Sequence, residues 1–375
     1  MVKEGQIMPA YYGETAKSCA LDRCMQRAKE MIGWDEKYPA KDMGNGKVHG
    51  IGVAMAMQGS GISAVDTASV GIKVNDDGFY SLMIGASDMG TGCDTILAQM
   101  AADCMDCEME DIIVSGVDTD TSPYDTGSYA SSTTYVTGMA VVKTCEKLKE
   151  KILLKGAEYL GCRTEDAEFD GKRVWCPKDG KEISLKDIGN RVMCANEEAL
   201  MASEAHYSPT SPPPFMVGMA EVEVDVETGK VTPIDYVAVV DCGTVVNPSL
   251  ARVQTEGESS KESEWRSMRI LSTMNREGIS VIRLCSTRFR PDRIPEKSGW
   301  NLKAAMNRPG RLARSHRRDC HQYTVTGSCG CGSKRNRSSY PRASDYSRKS
   351  LYGNETYEMM RIHVAILAAG QSLRY

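Results

Sequence analysis

Apolar positions recur every three or four residues from Cys19 to Ile32 (CALDRCMQRAKEMI), which predicts an amphipathic helix ending before Gly33. A linker is expected after it. Val70–Val74 and Phe79–Ile84 alternate apolar and polar residues on either side of Asn75-Asp76-Asp77-Gly78, the pattern of a hairpin. Thr95–Cys107 and Val136–Leu154 return to helical spacing, with a strand expected between them at Ile112–Val117. A second hairpin is expected from Ala220–Val226 and Val231–Val240, joined at Glu227-Thr228-Gly229-Lys230, with Pro212-Pro213-Pro214 as an extended lead-in. Paired strands mixed with helices, rather than a strict strand–helix alternation, predict an α+β fold.

Beyond Gly257 the periodicity stops and Arg, Ser, Pro and Cys dominate, so no packed element is expected there. Charge divides at the same point. Residues 258–375 hold 23 Lys+Arg against 10 Asp+Glu, whereas residues 1–257 hold 23 against 40. A basic tail of this kind suggests an arm for nucleic acid or an anionic membrane. Its basic residues, however, are 18 Arg to 5 Lys, with little aromatic interleaving.

The chain of 375 residues, 41% hydrophobic, is long enough to bury a core. It has no run of about 18 apolar residues, and its start lacks a basic segment followed by an apolar one. A cytoplasmic protein with no membrane partner is the expectation. Fourteen cysteines without a secretion signal then imply free thiols. Cys104 and Cys107 form a C-x-x-C pair within a helical run, but no second pair completes a four-ligand metal site. The histidines His49, His206, His316, His321 and His363 show no ligand spacing and are expected to be solvated or incidental.

Three glycine-rich stretches stand close together: Gly50–Ile62 (GIGVAMAMQGSGI), Gly85–Thr95 (GASDMGTGCDT) and Tyr124–Thr134 (YDTGSYASSTT). Each taken alone is compatible with a tight turn. Two of them run into helical segments, where free backbone amides and the helix dipole favour a phosphate. Ser131, Ser132, Thr133 and Thr134 fit such a site, and equally fit a helix cap with hydroxyls to spare.

The order of these motifs resembles the second molybdenum-domain region of the xanthine dehydrogenase and aldehyde oxidase family. GNGKVHGIGVAMAMQGSGI resembles the family's glycine-rich entry, and GASDMGTGCDTILAQMAA its loop against the pterin. DTDTSPYDTGSYASSTTYVTGMAV resembles the segment around the pterin phosphate and metal pocket. PPFMVGMAEVEVDVETGKVTPIDYVAVVDCGTVVNPSLARVQTEG resembles the approach to the last pterin-contacting loop. The likeness runs from about Gly5 to Gly257, so residues 1–257 are expected to form a molybdopterin-binding region.

Carried over by position, the resemblance implies that Met89, Gly90 and Thr91 face the pterin, with Thr91 standing where many relatives have Gln. It further implies that Tyr129 and Ala130 line the substrate pocket, Ser131 to Thr134 hold the pterin phosphate, and Gln254 hydrogen-bonds the pterin. The implied cofactor is molybdenum–molybdopterin, the cytosine dinucleotide being one form, with 2Fe–2S and FAD on partner subunits. The implied reaction is hydroxylation of an N-heterocycle or aldehyde with water, a glutamate serving as general base. No protein ligand to the metal is implied. The upstream half of the molybdenum subunit is a further expected partner, lying before Met1, and the substrate is a small molecule.

The family's glutamate motif, resembling GAKSIGE, should follow Gly257 but is not written there. Reading codons one base earlier from Glu258 (ESSKESEWRSMRILS), with synonymous codons chosen freely, permits GIVQGIGMALYEDII, the family's continuation after VQTEG. The same frame permits GPFGAKS by Ser315. The opposite shift from His316 permits IGEIVINTPSPA, with the glutamate spanning Arg318 and Asp319, and a stop falls across Met359 and Met360. A match of this length is not expected by chance, so residues 258–359 read as a stretch scrambled by two frame shifts, with no catalytic residue in the written frame. Residues 360–375 (MRIHVAILAAGQSLRY) resemble the start of a molybdenum cofactor cytidylyltransferase, the beginning of a neighbouring gene. On this reading the chain alone is inactive. Two alternatives stand beside it: a cofactor-carrying or structural subunit without catalysis, and a basic-tailed nucleic-acid-binding protein.

Overall fold

The computed structural model describes residues 1–8, 12–229 and 231–257, together with the backbone of 303–305. A short ribbon, β1 (Ile7–Met8) and β2 (Glu14–Thr15), leads into helix α1 (Leu21–Ile32), the turn α2 (Trp34–Lys37), β3 (Ala40–Asp42) and the long strand β4 (Lys47–Met57). Then come β5 (Thr67–Val74), β6 (Tyr80–Ile84), α3 (Cys93–Met105), β7 (Ile112–Ser115) and α4 (Thr133–Leu160). Next are β8 (Glu168–Phe169), β9 (Arg173–Cys176), β10 (Lys181–Ser184), α5 (Leu185–Cys194) and β11 (Met201–Tyr207). The hairpin β12 (Phe215–Asp225) and β13 (Val231–Asp241), a helix α6 over 248–257, and β14 (Lys303–Ala305) follow. The fold is α+β.

One layer is the sheet β14-β13-β12-β4-β3. Helix α1 buries Leu21, Cys24, Ala28 and Ile32, one stripe at helical spacing, against Phe215, Val217, Met219, Val237 and Val239. Asp241 Oδ2 accepts from the Ala20 amide at 2.7 Å, which ties the start of α1 to the end of β13. Left-handed Gly33 ends α1 by donating to the Lys29 carbonyl. Strand β4 pairs antiparallel with β12 over its whole length, Lys47 against Asp225 through Met57 against Phe215. This corrects the expectation of a linker after α1: α2, β3 and β4 occupy it, and Gly50–Met57 of the first glycine-rich stretch is strand.

The second layer is the sheet β11-β5-β6-β7, covered by α3 and α4. The hairpin β5–β6 turns at Asn75–Gly78 as its sequence indicates. Strand β7 runs parallel to β6, so α3 is the crossover between them and the Gly85–Gly92 loop lies at the carboxyl end of β6. The core of this layer holds Ile72, Leu82, Ile84, Leu97, Met100, Val141, Leu148 and Ile152.

Most of residues 258–359 and all of 360–375, including His316, His321 and His363, lie outside the described residues. Residues 303–305 are an exception to the expected lack of elements, because they pair parallel with β13 from Val237 to Val239. A sheet edge presents unpaired backbone groups that an extended segment satisfies whatever its side chains. His206 is buried, with its ring edge-on to Tyr135 at 5.7 Å, and so is not solvated as expected. Its position on β11 directs it inward. No disulfide joins any two of the ten described cysteines. Cys104 and Cys107 pack against the core of the second layer, and burial pushes the Cys107 thiol up to about 12.

Candidate functional site

Helices α3 and α4 cross closely at Met100 and Gly138, where a Cβ on the glycine would stand 2.6 Å from the methionine Cε. Further along both helices Lys149 Nζ donates to the Cys104 carbonyl at 3.0 Å and pairs with Asp106. The contacts advance in the same direction, so the helices run parallel and their N-termini open at the same end of the layer. The loops that precede them touch as well: Gly85 packs against Pro123 and Asp125, leaving no room for a side chain.

The two N-termini differ. Asp88 Oδ1 accepts from the amides of Gly90 at 2.8 Å and Gly92 at 3.1 Å. Burial opposes ionisation of Asp88, but these backbone donors more than offset it and hold the carboxyl below its usual range. The start of α3 therefore already carries its own anion. Helix α4 has no such side chain: its N-cap, Ser132, makes no capping hydrogen bond. Ser132 N donates to Tyr129 and Val136 N to Ser132, and the intervening amides of Thr133, Thr134 and Tyr135 have no acceptor among the described residues. Ahead of them Ala130 (φ 51°) and Ser131 (φ 55°) both adopt the left-handed conformation.

Of the residues singled out from sequence, Met89 is exposed at the tip of the α3 cap, with Gly90 exposed and Thr91 half-buried beside it. Tyr129 presents an exposed ring, and Ala130 is half-buried. Ser131, Ser132 and Thr134 are buried. Their group's hydroxyls are largely engaged within the turn: Ser131 Oγ accepts from Gln58 Nε2 at 2.7 Å, Ser132 Oγ donates to the Gly127 carbonyl at 2.8 Å, and Thr133 Oγ1 donates to Ser128 at 2.9 Å. The hydroxyls shape the turn, and the amides of Thr133, Thr134 and Tyr135 are left without an acceptor among the described residues. Gln254 lies on α6, one turn beyond Leu250, whose Cδ1 closes on Gly92 so that a Cβ there would stand 2.7 Å away. An Asn247–Gln99 hydrogen bond of 3.2 Å fixes α6 to α3. The start of α3, the start of α4 and α6 are thus adjoining parts of one region.

Sequence reasoning missed Asp66, which is fully buried and accepts from Tyr129 Oη at 2.8 Å and from the Ile62 amide at 2.7 Å. The hydrogen bond to Asp66, followed by burial, raises the Tyr129 phenol above its ordinary range. Nothing in the local pattern of Ser63 to Thr67 marks this carboxyl, since its partner is distant in sequence. Among the described residues, Asp88, Cys93 and Asp94 are the one group of ligand-type atoms close enough for a metal. Burial, and then the neighbouring carboxylates, push the Cys93 thiol up to about 12, and the Asp88 oxygen already serves the α3 amides, so the group suits helix capping better than metal binding.

Residues 27–258 match the family model described as the molybdopterin cofactor-binding domain. The chain belongs to this family. It is 37% identical over 245 residues to the Escherichia coli (strain K12) protein named "Probable hypoxanthine oxidase XdhD", a match covering 65% of this chain and 25% of that protein. It is 29% identical over 203 residues to the carbon monoxide dehydrogenase large chain of Afipia carboxidovorans, covering 52% of this chain and 25% of that one. The chain thus spans about a quarter of the length of these relatives. Quinoline 2-oxidoreductase from Pseudomonas putida 86 shares the fold with a TM-score of 0.62 at 19% identity, over 72% of this chain and 37% of its own. No helix among the described residues is long and apolar enough to cross a membrane.

Proposed function

We propose that residues 1–257 supply one wall of the molybdopterin site in a molybdenum hydroxylase that oxidises an N-heterocycle or aldehyde with water. The observation that carries this reading is the uncapped start of α4, with three free amides behind a left-handed turn, beside a neighbouring helix start already neutralised by Asp88. An anion arriving at this end of the layer meets repulsion at α3 and oriented donors at α4. The donor set fits a phosphate. The amides of Thr133, Thr134 and Tyr135 would hold the pterin phosphate, the Met89-Gly90-Thr91 tip would lie along the pterin, and Gln254 would donate to it from α6. Tyr129 and Ala130 would border the substrate. When bound, the group supplies the redox centre and the water-derived oxygen.

Iron–sulfur and FAD partners would take the electrons, and the remainder of the molybdenum subunit would close the site. The absence of the glutamate motif from the written frame makes the isolated chain inactive on this reading. The test is to add the purified cofactor to the full chain, remove unbound cofactor by gel filtration, and measure molybdenum per chain. Retention that phosphate displaces supports the reading. No retention, even with the rest of the molybdenum subunit supplied, overturns it.

A further inference from the structure

The segment 58–66, which joins β4 to β5, reaches the turn ahead of α4 at three successive residues. Gln58 Nε2 donates to Ser131 Oγ at 2.7 Å, the Gly61 amide donates to the Ala130 carbonyl at 2.7 Å, and Asp66 Oδ1 accepts from Tyr129 Oη at 2.8 Å. The other Asp66 oxygen accepts from the Ile62 amide at 2.7 Å and so braces the segment against itself. A Cβ on Gly61 would stand 3.0 Å from that oxygen, which keeps the approach open only to glycine-like backbone.

Two consecutive non-glycine residues in the left-handed region are costly, and such strain persists only where surrounding contacts over-determine it. Ala130 and Ser131 are held in this way from one side, by the 58–66 segment. Asp66 is the one carboxyl in the bracket and is 0% exposed, so its hydrogen bonds are not diluted by water.

We infer that Asp66 is a positioning residue for the Tyr129–Thr134 turn: it anchors the Tyr129 hydroxyl, turns the ring rather than the hydroxyl toward the site, and fixes the direction of the first α4 amides. The phenolic proton is committed to Asp66 and is not offered to a substrate. Recognition at Tyr129 then uses the ring face, which suits a planar aromatic substrate. The inference about the amides stands on the structure alone, whereas the substrate class rests on the molybdopterin reading.

The test uses the full chain with 13Cζ-labelled tyrosine, the Tyr129 signal being assigned by Tyr129→Phe. In Asp66→Asn, Tyr129 should titrate at lower pH than in the native chain, a change that a purely structural role of Asp66 would not produce. Amide exchange at Gly61 and Ser132, which donate to the Ala130 and Tyr129 carbonyls, should rise about tenfold in Asp66→Asn and in Tyr129→Phe, and no further in the double variant, because both remove the same hydrogen bond. Amides of β12 serve as the internal control, and Tyr129→Phe, whose ring is exposed, keeps the test available if Asp66→Asn does not fold. An unchanged Tyr129 titration, or exchange effects that multiply in the double variant, would overturn the assignment. Inorganic phosphate is the ligand probe: if it fails to protect the amides of Thr133, Thr134 and Tyr135 in the native chain, the cofactor reading fails, while the titration still decides the role of Asp66.

Discussion

A Cβ built on Gly85 would stand 2.2 Å from the carbonyl oxygen of Pro123. Gly85 opens the loop that enters α3, and Pro123 lies within the loop that leads to α4, so the two loops of the candidate site meet here. The obstacle is backbone, so it cannot rotate aside as a flexible side chain would. Gly85→Ala should separate the loops and cost about 1–3 kcal/mol, the usual range for forced overpacking. Urea unfolding monitored by circular dichroism measures this, and an unchanged midpoint would show that the loops part freely.

Thr133→Asp separates folding from ligand binding by the sign of its effects. The residue opens α4, is half-buried, and its side chain meets Ser128 rather than the core. A carboxylate in the first turn favours the helix by about 0.3–1 kcal/mol through the dipole. The same charge repels an incoming phosphate, and a like charge within a few Å should weaken anion binding by about tenfold or more. Thermal midpoint should therefore hold or rise while phosphate affinity, measured by calorimetry, falls. A parallel fall in both would mean that Thr133 matters only to the fold.

The sheet carries a charged cluster whose pH response has a definite sign. Lys47 Nζ lies 2.7 Å from Glu223 Oε1, and His49 lies between Glu221 at 3.4 Å and Glu223 at 3.1 Å. The hydrogen bond from Lys47, followed by that from His49, lowers the Glu223 carboxyl below its ordinary range. A depressed carboxyl contributes stability above its unfolded value of about 4.3 and loses it as pH falls through the folded value. Glu223→Gln should therefore melt below the native chain at pH 7, and the gap should close as pH is lowered past 4. A gap that persists at the lowest pH at which both variants fold would assign the effect to shape rather than charge.

Much of the fold was legible because hydrophobic spacing and turn chemistry agree, as in α1 with Gly33 behind it and the β5–β6 hairpin around Asn75–Gly78. Strand β4 was not, since GIGVAMAM has few β-branched residues and becomes a strand through its pairing with β12. The small sheet β8–β10 and helix α5 are short and charged, which hides their periodicity. The α4 turn could be found from its glycine and hydroxyl pattern, but two features could not. The hydroxyls of Ser132 and Thr133 face inward, and Asp66 acts across 63 residues of chain on Tyr129. Both are consequences of tertiary contact.

The reading of residues 258–359 as two frame shifts makes the last prediction, and it reaches the chemistry. Sequencing the locus should reveal a continuous frame through GIVQGIGMALYEDII to GPFGAKS and IGE, the glutamate spanning what is written as Arg318 and Asp319. On the proposed function that carboxylate would take a proton as oxygen is delivered to the substrate, a task for which the amides of α4 and the Tyr129 hydroxyl, held by Asp66, offer no substitute. General bases commonly contribute about 100- to 10,000-fold in rate. The chain as written should therefore show no turnover of xanthine, nicotinate or an aldehyde. The corrected chain, produced with its partners, should turn over, and its Glu→Gln version should be slower by that factor while retaining molybdenum. Turnover by the chain as written, or equal rates for the glutamate and glutamine versions, would refute the assignment of the base. A locus without the alternative frame would refute the reading of the tail and leave the cofactor wall of residues 1–257 to be tested on its own.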